Sequence, residues 1–242
     1  MSMFHTTAIY AGHGGTLPPH KQRFYADIRN ANVLDVGCGA GQAAKFLHQA
    51  ENRLDGVTYT PEERERARPF YRVIHLIDLN DPGTMRAVDG TYDVILLGDI
   101  LEHLVDPGRV LLELKKRLNE GGRFYISVPN IANVIARLNL LVGRFEYTET
   151  GIMDHTHLRF FTRATILQMI REAGLSVERM EYSHWNWALL PRQISSRLRL
   201  GRLEGSVKNG LTCLFPGLLA TQIMLVASPR QTNPHGLGGR SS

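Results

Sequence analysis

Short apolar runs bounded by glycine, proline and asparagine alternate along the chain with stretches whose apolar residues recur every three or four positions. Runs of the first kind read as strands and stretches of the second as helices. The first run, residues 33–36, passes into Gly37-Cys38-Gly39-Ala40-Gly41 and then into a helical segment from Gln42 that carries Ala43, Ala44, Phe46 and Leu47 on one side. Residues 53–58, 73–79, 92–98 and 123–128 are the next four strands. The run 92–98 is almost continuously apolar, as suits a central parallel strand covered on both faces.

Between the strands the helix signals are local and specific. Thr60 precedes Pro61 and Glu63, an N-cap, a first-turn proline and a capping-box acid. Asp106 and Pro107 open a helix predicted to run to about Asn119, with Val110, Leu111, Leu114 and Leu118 facing inward and Gly121 as its stop. A short helix is expected over 20–30 from the Phe24 and Ile28 spacing, and a capped one over 162–173 before Gly174. Strands over 176–184 and 221–227 complete the pattern. Alternation of this kind specifies an α/β domain with a doubly wound, mostly parallel sheet.

Four segments interrupt the rhythm. Residues 1–19, rich in glycine and proline, read as an irregular arm, and 229–242 as a disordered tail. Residues 131–162 hold a helix through Leu141 and then a polar, aromatic loop, an insertion placed where substrate pockets are built, within a main domain of residues 20–228. Residues 185–220 are far longer than a connection between two strands needs. Within them, at 192–208, Ile194, Leu198, Leu200, Leu203 and Val207 interleave with Arg192, Arg197, Arg199, Arg202 and Lys208. That pattern is compatible with peripheral contact with an anionic membrane surface, or with a helix packed on the domain or on a second subunit.

At 242 residues and 43% hydrophobic, the chain is long enough for one large α/β domain. The net charge of +5 is scattered until the region after Pro191, so no nucleic-acid partner is expected. Only Cys38 and Cys213 are present, without the spacing of a metal site, so neither disulfides nor a metal is expected. The N-terminus lacks a secretory pattern and no apolar stretch reaches membrane-spanning length, so a cytoplasmic location is expected.

The glycine turn after the first strand is the chemical centre of the sequence. Glycines at 37, 39 and 41 let backbone approach a ligand closely, and the following helix N-terminus favours a carboxylate or phosphate. A nicotinamide dinucleotide site is excluded at a named residue, because its fingerprint needs a third glycine where Gln42 stands. Thr58 also ends the second strand where that site would want an acid.

Taken with Asp78 after the third strand and the 92–104 segment ending in Glu102-His103-Leu104, residues 33–41 resemble the motifs of class I S-adenosylmethionine-dependent methyltransferases. The resemblance covers about residues 20–228 and implies a seven-stranded sheet with an antiparallel final strand. It also implies a cofactor, S-adenosyl-L-methionine, held by Asp35, Gly37, Cys38, Gly39 and Gly41 at its amino acid end. Thr58 and Glu63 would serve the ribose, Asp78 and Leu79 the adenine, and Asp99 the amino acid portion or the acceptor. The segment Asp154-His155-Thr156-His157-Leu158-Arg159 resembles one in small-molecule methyltransferases linked to glycan, lipid and quinone biosynthesis.

Methyl transfer from a sulfonium is an in-line displacement, so alignment supplies much of the rate and a base the remainder. Histidine is the natural proton acceptor for a hydroxyl near neutral pH. His157 and His155 rank ahead of His103 for that role. Arg159 is expected either to bind an anionic acceptor or to pair with Asp154. The expected activity is O-methylation of a small hydroxylated acceptor, a sugar or lipid-linked sugar first. A quinone-type phenol is the alternative acceptor, and a catalytically silent docking module the alternative role.

Overall fold

The computed structural model describes residues 16–184, 210, 212 and 214–230. Seven strands form one sheet: β1 (Asn32–Val36), β2 (Arg53–Thr58), β3 (Val73–Leu76), β4 (Tyr92–Gly98), β5 (Leu118–Pro129), β6 (Leu175–His184) and β7 (Ala220–Pro229). Their order is β3-β2-β1-β4-β5-β7-β6. The first five are parallel, and β7 runs antiparallel to both β5 and β6. The helices are α1 (Pro19–Phe24), α2 (Gln42–Leu47), α3 (Pro61–Ala67), α4 (Pro107–Lys115), α5 (Val134–Leu141), α6 (Arg163–Glu172) and α7 (Pro216–Leu219).

The period-two pattern of the central strands sorts their side chains to two faces. Leu34, Val36, Ile95, Leu97, Phe124 and Ile126 pack with Val110, Leu111 and Leu114 of α4 and Ile166 and Ile170 of α6. Val33, Leu96, Tyr125 and Val226 pack with Phe24 of α1, Ala44 and Leu47 of α2 and Ala67 of α3. A fully buried Leu or Ile contributes roughly 1.5–3 kcal/mol, so both covers hold the sheet firmly. The switch in strand order between β1 and β4 opens a crevice at their carboxyl ends, where such sheets bind ligands.

Three element boundaries differ from those expected from sequence. Helix α4 stops at Lys115, not near Asn119, because the Tyr92 amide takes the Arg117 carbonyl at 2.8 Å and Leu118 pairs with Tyr92 in the sheet. Gly121, at φ +74°, therefore lies inside β5 and terminates no helix. Strand β3 ends at Leu76, after which the Ile77 amide donates to the Thr58 carbonyl and 77–79 turn towards the crevice. Helix α1 covers only the first part of 20–30, and the following turns carry Ile28 into the core. The basic pattern at 192–208 lies outside the described residues, as do residues 1–15 of the arm and 231–242 of the tail.

Candidate active site

A cavity of about 690 Å³ occupies the crevice, a volume in the range of sites that enclose a small molecule. One wall is the turn after β1. Gly37 has φ +77°, and a Cβ there would lie 2.7 Å from the Ile100 side chain, so both its conformation and its surroundings demand glycine. The Gly37 and Cys38 amides both donate to the Val57 carbonyl at 2.9 Å, and the Gly41 amide to Cys38. Those three donors tie the turn to β2 and to itself, so the turn presents a ligand with Gly39 and Ala40 rather than with its whole backbone. Gly41 does not line the cavity; it precedes α2 at φ +82°, facing Phe70 and Tyr71.

Asp35, at the end of β1, lines the cavity and accepts from the Tyr71 hydroxyl at 2.5 Å. Burial pushes its carboxyl up to about 6 against the pull of that hydrogen bond and of Lys21. Burial likewise holds the Cys38 thiol well above its ordinary range, so it is an inert wall.

The second wall comes from β2, α3 and the segment after β3. Thr60 caps α3 by accepting from the Glu63 amide, as the sequence predicts, but the Glu63 carboxylate accepts from the Thr58 hydroxyl at 2.5 Å. Both side chains line the cavity, beside Asp78 and Leu79. Asp78 is exposed and forms an Asx turn with the Asn80 amide, while Arg109 of α4 donates to the Leu79 carbonyl at 2.9 Å and fixes that segment.

Asp99, at the tip of β4, has φ +58° and accepts from Lys21 of α1 at 2.6 Å, Ser127 of β5 at 2.8 Å and Gln222 of β7 at 2.5 Å. Burial would raise its carboxyl, but the Lys21 ammonium and these hydrogen bonds outweigh it and hold the group below the usual carboxylate range. Three elements thus converge on one carboxylate. Lys21 and Tyr25 line the cavity from α1, a contribution that the sequence betrays only as a cation four residues before a buried tyrosine.

The third wall brings His103 to the cavity. It sits in the short turn Leu101–His103, with Nδ1 3.2 Å from the Thr156 carbonyl and 3.1 Å from the Thr156 hydroxyl. That hydroxyl gives its proton to buried Asp154 at 2.7 Å, and a carbonyl only accepts, so the network assigns the His103 proton to Nδ1 and leaves the lone pair on Nε2. Burial, assisted by His157, lowers the imidazole below its ordinary value. His157 is buried beside it, ring centroids 4.9 Å apart, with Nδ1 anchored on the Ile152 carbonyl. Burial lowers its imidazole also.

Of the three histidines singled out from sequence, His103 lines the cavity, whereas His157 and His155, ranked ahead of it, do not. His155 points away, half-exposed, with Nδ1 3.3 Å from the Thr148 carbonyl. Arg159 does not pair with Asp154; it donates to the Val105 carbonyl. Glu102 was legible only as part of a motif. It is 1% exposed, and neither carboxylate oxygen has a hydrogen-bond partner. Burial, with Asp99 adding to it, holds its carboxyl well above the ordinary range. One carboxylate oxygen and one nitrogen from each of His103 and His157 all lie within 4.8 Å of one another.

Residues 15–179 match the family model described as a methyltransferase domain. Among curated proteins, the chain is 28% identical over 178 residues to the ubiquinone biosynthesis O-methyltransferase of Aeromonas salmonicida, covering 70% of this chain and 71% of that one. It is also 28% identical over 196 residues to the protein of the same name from Xanthomonas oryzae, covering 75% and 78%. Among solved structures, magnesium protoporphyrin IX methyltransferase from Synechocystis, with bound S-adenosylhomocysteine, superposes with a TM-score of 0.58 at 15% identity over 92% of this chain and 91% of that one. A S-adenosylmethionine-dependent methyltransferase from Archaeoglobus fulgidus gives 0.56 at 14% identity, covering 86% and 89%.

Proposed function

This chain belongs to the methyltransferase-domain family and is an S-adenosylmethionine-dependent methyltransferase, and we propose that it transfers the methyl group to a phenolic hydroxyl of a quinone-type acceptor. The observation that carries this reading is His103, which lines the same cavity as the glycine turn and holds an unprotonated Nε2. A phenol needs modest base assistance, and a neutral imidazole on the cavity wall is suited to supply it. The proton lost from the hydroxyl goes to Nε2 as the oxygen attacks the methyl carbon and the sulfonium leaves as a thioether.

Leu17, Tyr25, Ile100, Leu104 and Leu158 line the cavity, apolar surface suited to an aromatic ring more than to a polyhydroxylated sugar. The curated relatives carry names from ubiquinone biosynthesis, which also favours the phenol over the sugar expected first from sequence. Within the cavity the donor's amino acid portion would rest by Asp35 and Gly39, its ribose by Thr58 and Glu63, and its adenine by Asp78 and Leu79. Asp99, saturated by three donors, serves as the anchor of the wall formed by α1.

The test is methyl transfer from S-adenosylmethionine to a panel of small hydroxyphenols and catechols against glycoside and lipid-linked sugar acceptors, read by mass spectrometry. Methylation of the phenols is the expected result. Transfer to the sugars alone would overturn the acceptor assignment, and donor binding with no transfer to any acceptor would favour the silent docking module. A second reading of the chemistry is favoured by Glu102, His103 and His157, whose donor atoms are close enough to share a divalent cation that would polarise the acceptor oxygen. Activity retained after exhaustive chelation supports base catalysis alone; activity lost to chelator and restored by magnesium or zinc supports the cation.

A further inference from the structure

We propose that the face formed by α5 and the loop to Tyr147 is a docking surface for an anionic lipid bilayer, placed so that an apolar acceptor passes from the membrane to the active site. Helix α5 is apolar almost all round yet buries one side chain, Ala136. Ile135, Leu138, Leu140 and Val142 are exposed, and Leu141 is 82% exposed. Phe145 and Tyr147 extend the patch, and Leu214 and Phe215 before α7 are exposed as well. Asn130 and Asn133 donate to the carbonyls of α7 and its end, so α5 and α7 leave the same edge of the sheet. Contiguous exposed apolar surface of this kind marks an interaction site.

Charge selects the occupant. Residues 131–147 carry Arg137 and Arg144, both exposed, against the single acid Glu146. In the sequence alone, residues 185–209, which lie outside the described residues, carry Arg192, Arg197, Arg199, Arg202 and Lys208 with the single acid Glu204. Apolar side chains flanked by arginine suit the boundary between acyl chains and anionic headgroups.

The patch is also continuous with the catalytic wall. Tyr147 and Phe145 ring centroids lie 5.4 Å apart, Phe145 and Phe160 6.0 Å, Phe160 and His157 6.3 Å, and His157 and His103 4.9 Å. A row of rings thus leads from the exposed surface to the group that lines the cavity. A phenol bearing a long apolar tail would keep its tail in the bilayer while its ring enters the site. This part rests on the quinone-type reading; the docking itself does not.

The experiment is co-sedimentation of the full chain with phosphatidylcholine vesicles containing roughly a quarter phosphatidylglycerol, against phosphatidylcholine alone. The double variant Leu138→Glu with Leu141→Glu should lower binding to the anionic vesicles on the order of tenfold or more, because it replaces inserted apolar groups with like-charged ones. Both positions are exposed, so its thermal melt should match the parent's. Its turnover of a short, soluble catechol should be unchanged, which separates a failure of docking from a failure of the acceptor assignment. Absence of sedimentation, equal binding to the neutral vesicles, or binding that survives the double substitution would each overturn the proposal. So would parent chains that dimerise in solution through a contact which the double variant abolishes.

Discussion

The Thr58 hydroxyl donates to the Glu63 carboxylate at 2.5 Å, joining the end of β2 to the first turn of α3 across one face of the cavity. Strand β2 thus ends on a threonine bound to an acid five residues later, whose amide is held in turn by the Thr60 cap. The capping-box reading of Glu63 is half right: its amide is capped, while its side chain serves the cavity.

Glu63→Gln should therefore raise the KM for S-adenosylmethionine by about tenfold, a loss of roughly 1.4 kcal/mol in donor binding, with kcat little changed. Steady-state kinetics at saturating acceptor measure it. An equal fall in kcat with unchanged KM would count against a ribose role for this pair.

The pair Lys21–Asp99 fastens α1 over the cavity. The Asp99 side chain is a third exposed, so breaking the pair costs less than breaking a fully buried one. Lys21→Met should lower stability by ~1–2 kcal/mol in urea denaturation. Its effect on donor or acceptor KM should exceed that of Ser127→Ala, which leaves α1 attached.

Activity should depend on the lone pair of His103 Nε2. Since burial lowers this imidazole below its ordinary value, the base is already competent at neutral pH. The kcat profile should be flat through neutral pH and decline only below the 6.5 of an ordinary imidazole, with His103→Ala lowering kcat by roughly 10²–10⁴-fold and His155→Ala leaving it unchanged. A profile whose midpoint lies above 7 would rule this group out.

Asp35 makes the stability of the ligand-free protein fall as pH rises in a defined window. Its folded carboxyl is raised from 3.8 to about 6, so between these values the native state holds a proton that the unfolded chain has lost. Stabilisation from this group is complete below about pH 4 and gone above about pH 6, on the order of 3 kcal/mol in all. Asp99, held low, contributes with the opposite sign, so the test is a difference. Urea denaturation of Asp35→Asn should show a shallower loss across pH 4–6 than the parent, and at pH 8 a stability equal to or above it, since Asn still accepts from Tyr71.

The local part of this protein is written in its sequence. Strands β2 and β4, the proline-opened starts of α3 and α4 and the glycine turn follow from side-chain period, capping and φ freedom, each a matter of a few neighbouring residues. Local signals overran where pairing intervened: the apolar stripe of α4 continues through Leu118, but β4 captured that residue for the sheet. The candidate site residues on strand ends were legible through the resemblance of the motifs that hold them. What only the tertiary structure decided is which distant groups meet there. Asp99 takes a hydrogen bond from Gln222, 123 residues away, and His103 is oriented by Thr156, 53 residues away. Those meetings depend on strand order and on the path of the 131–162 insertion, and no short-range pattern encodes either. Hence the sequence could rank three histidines but not place them, and the path of the chain left His103, of the three, on the cavity wall.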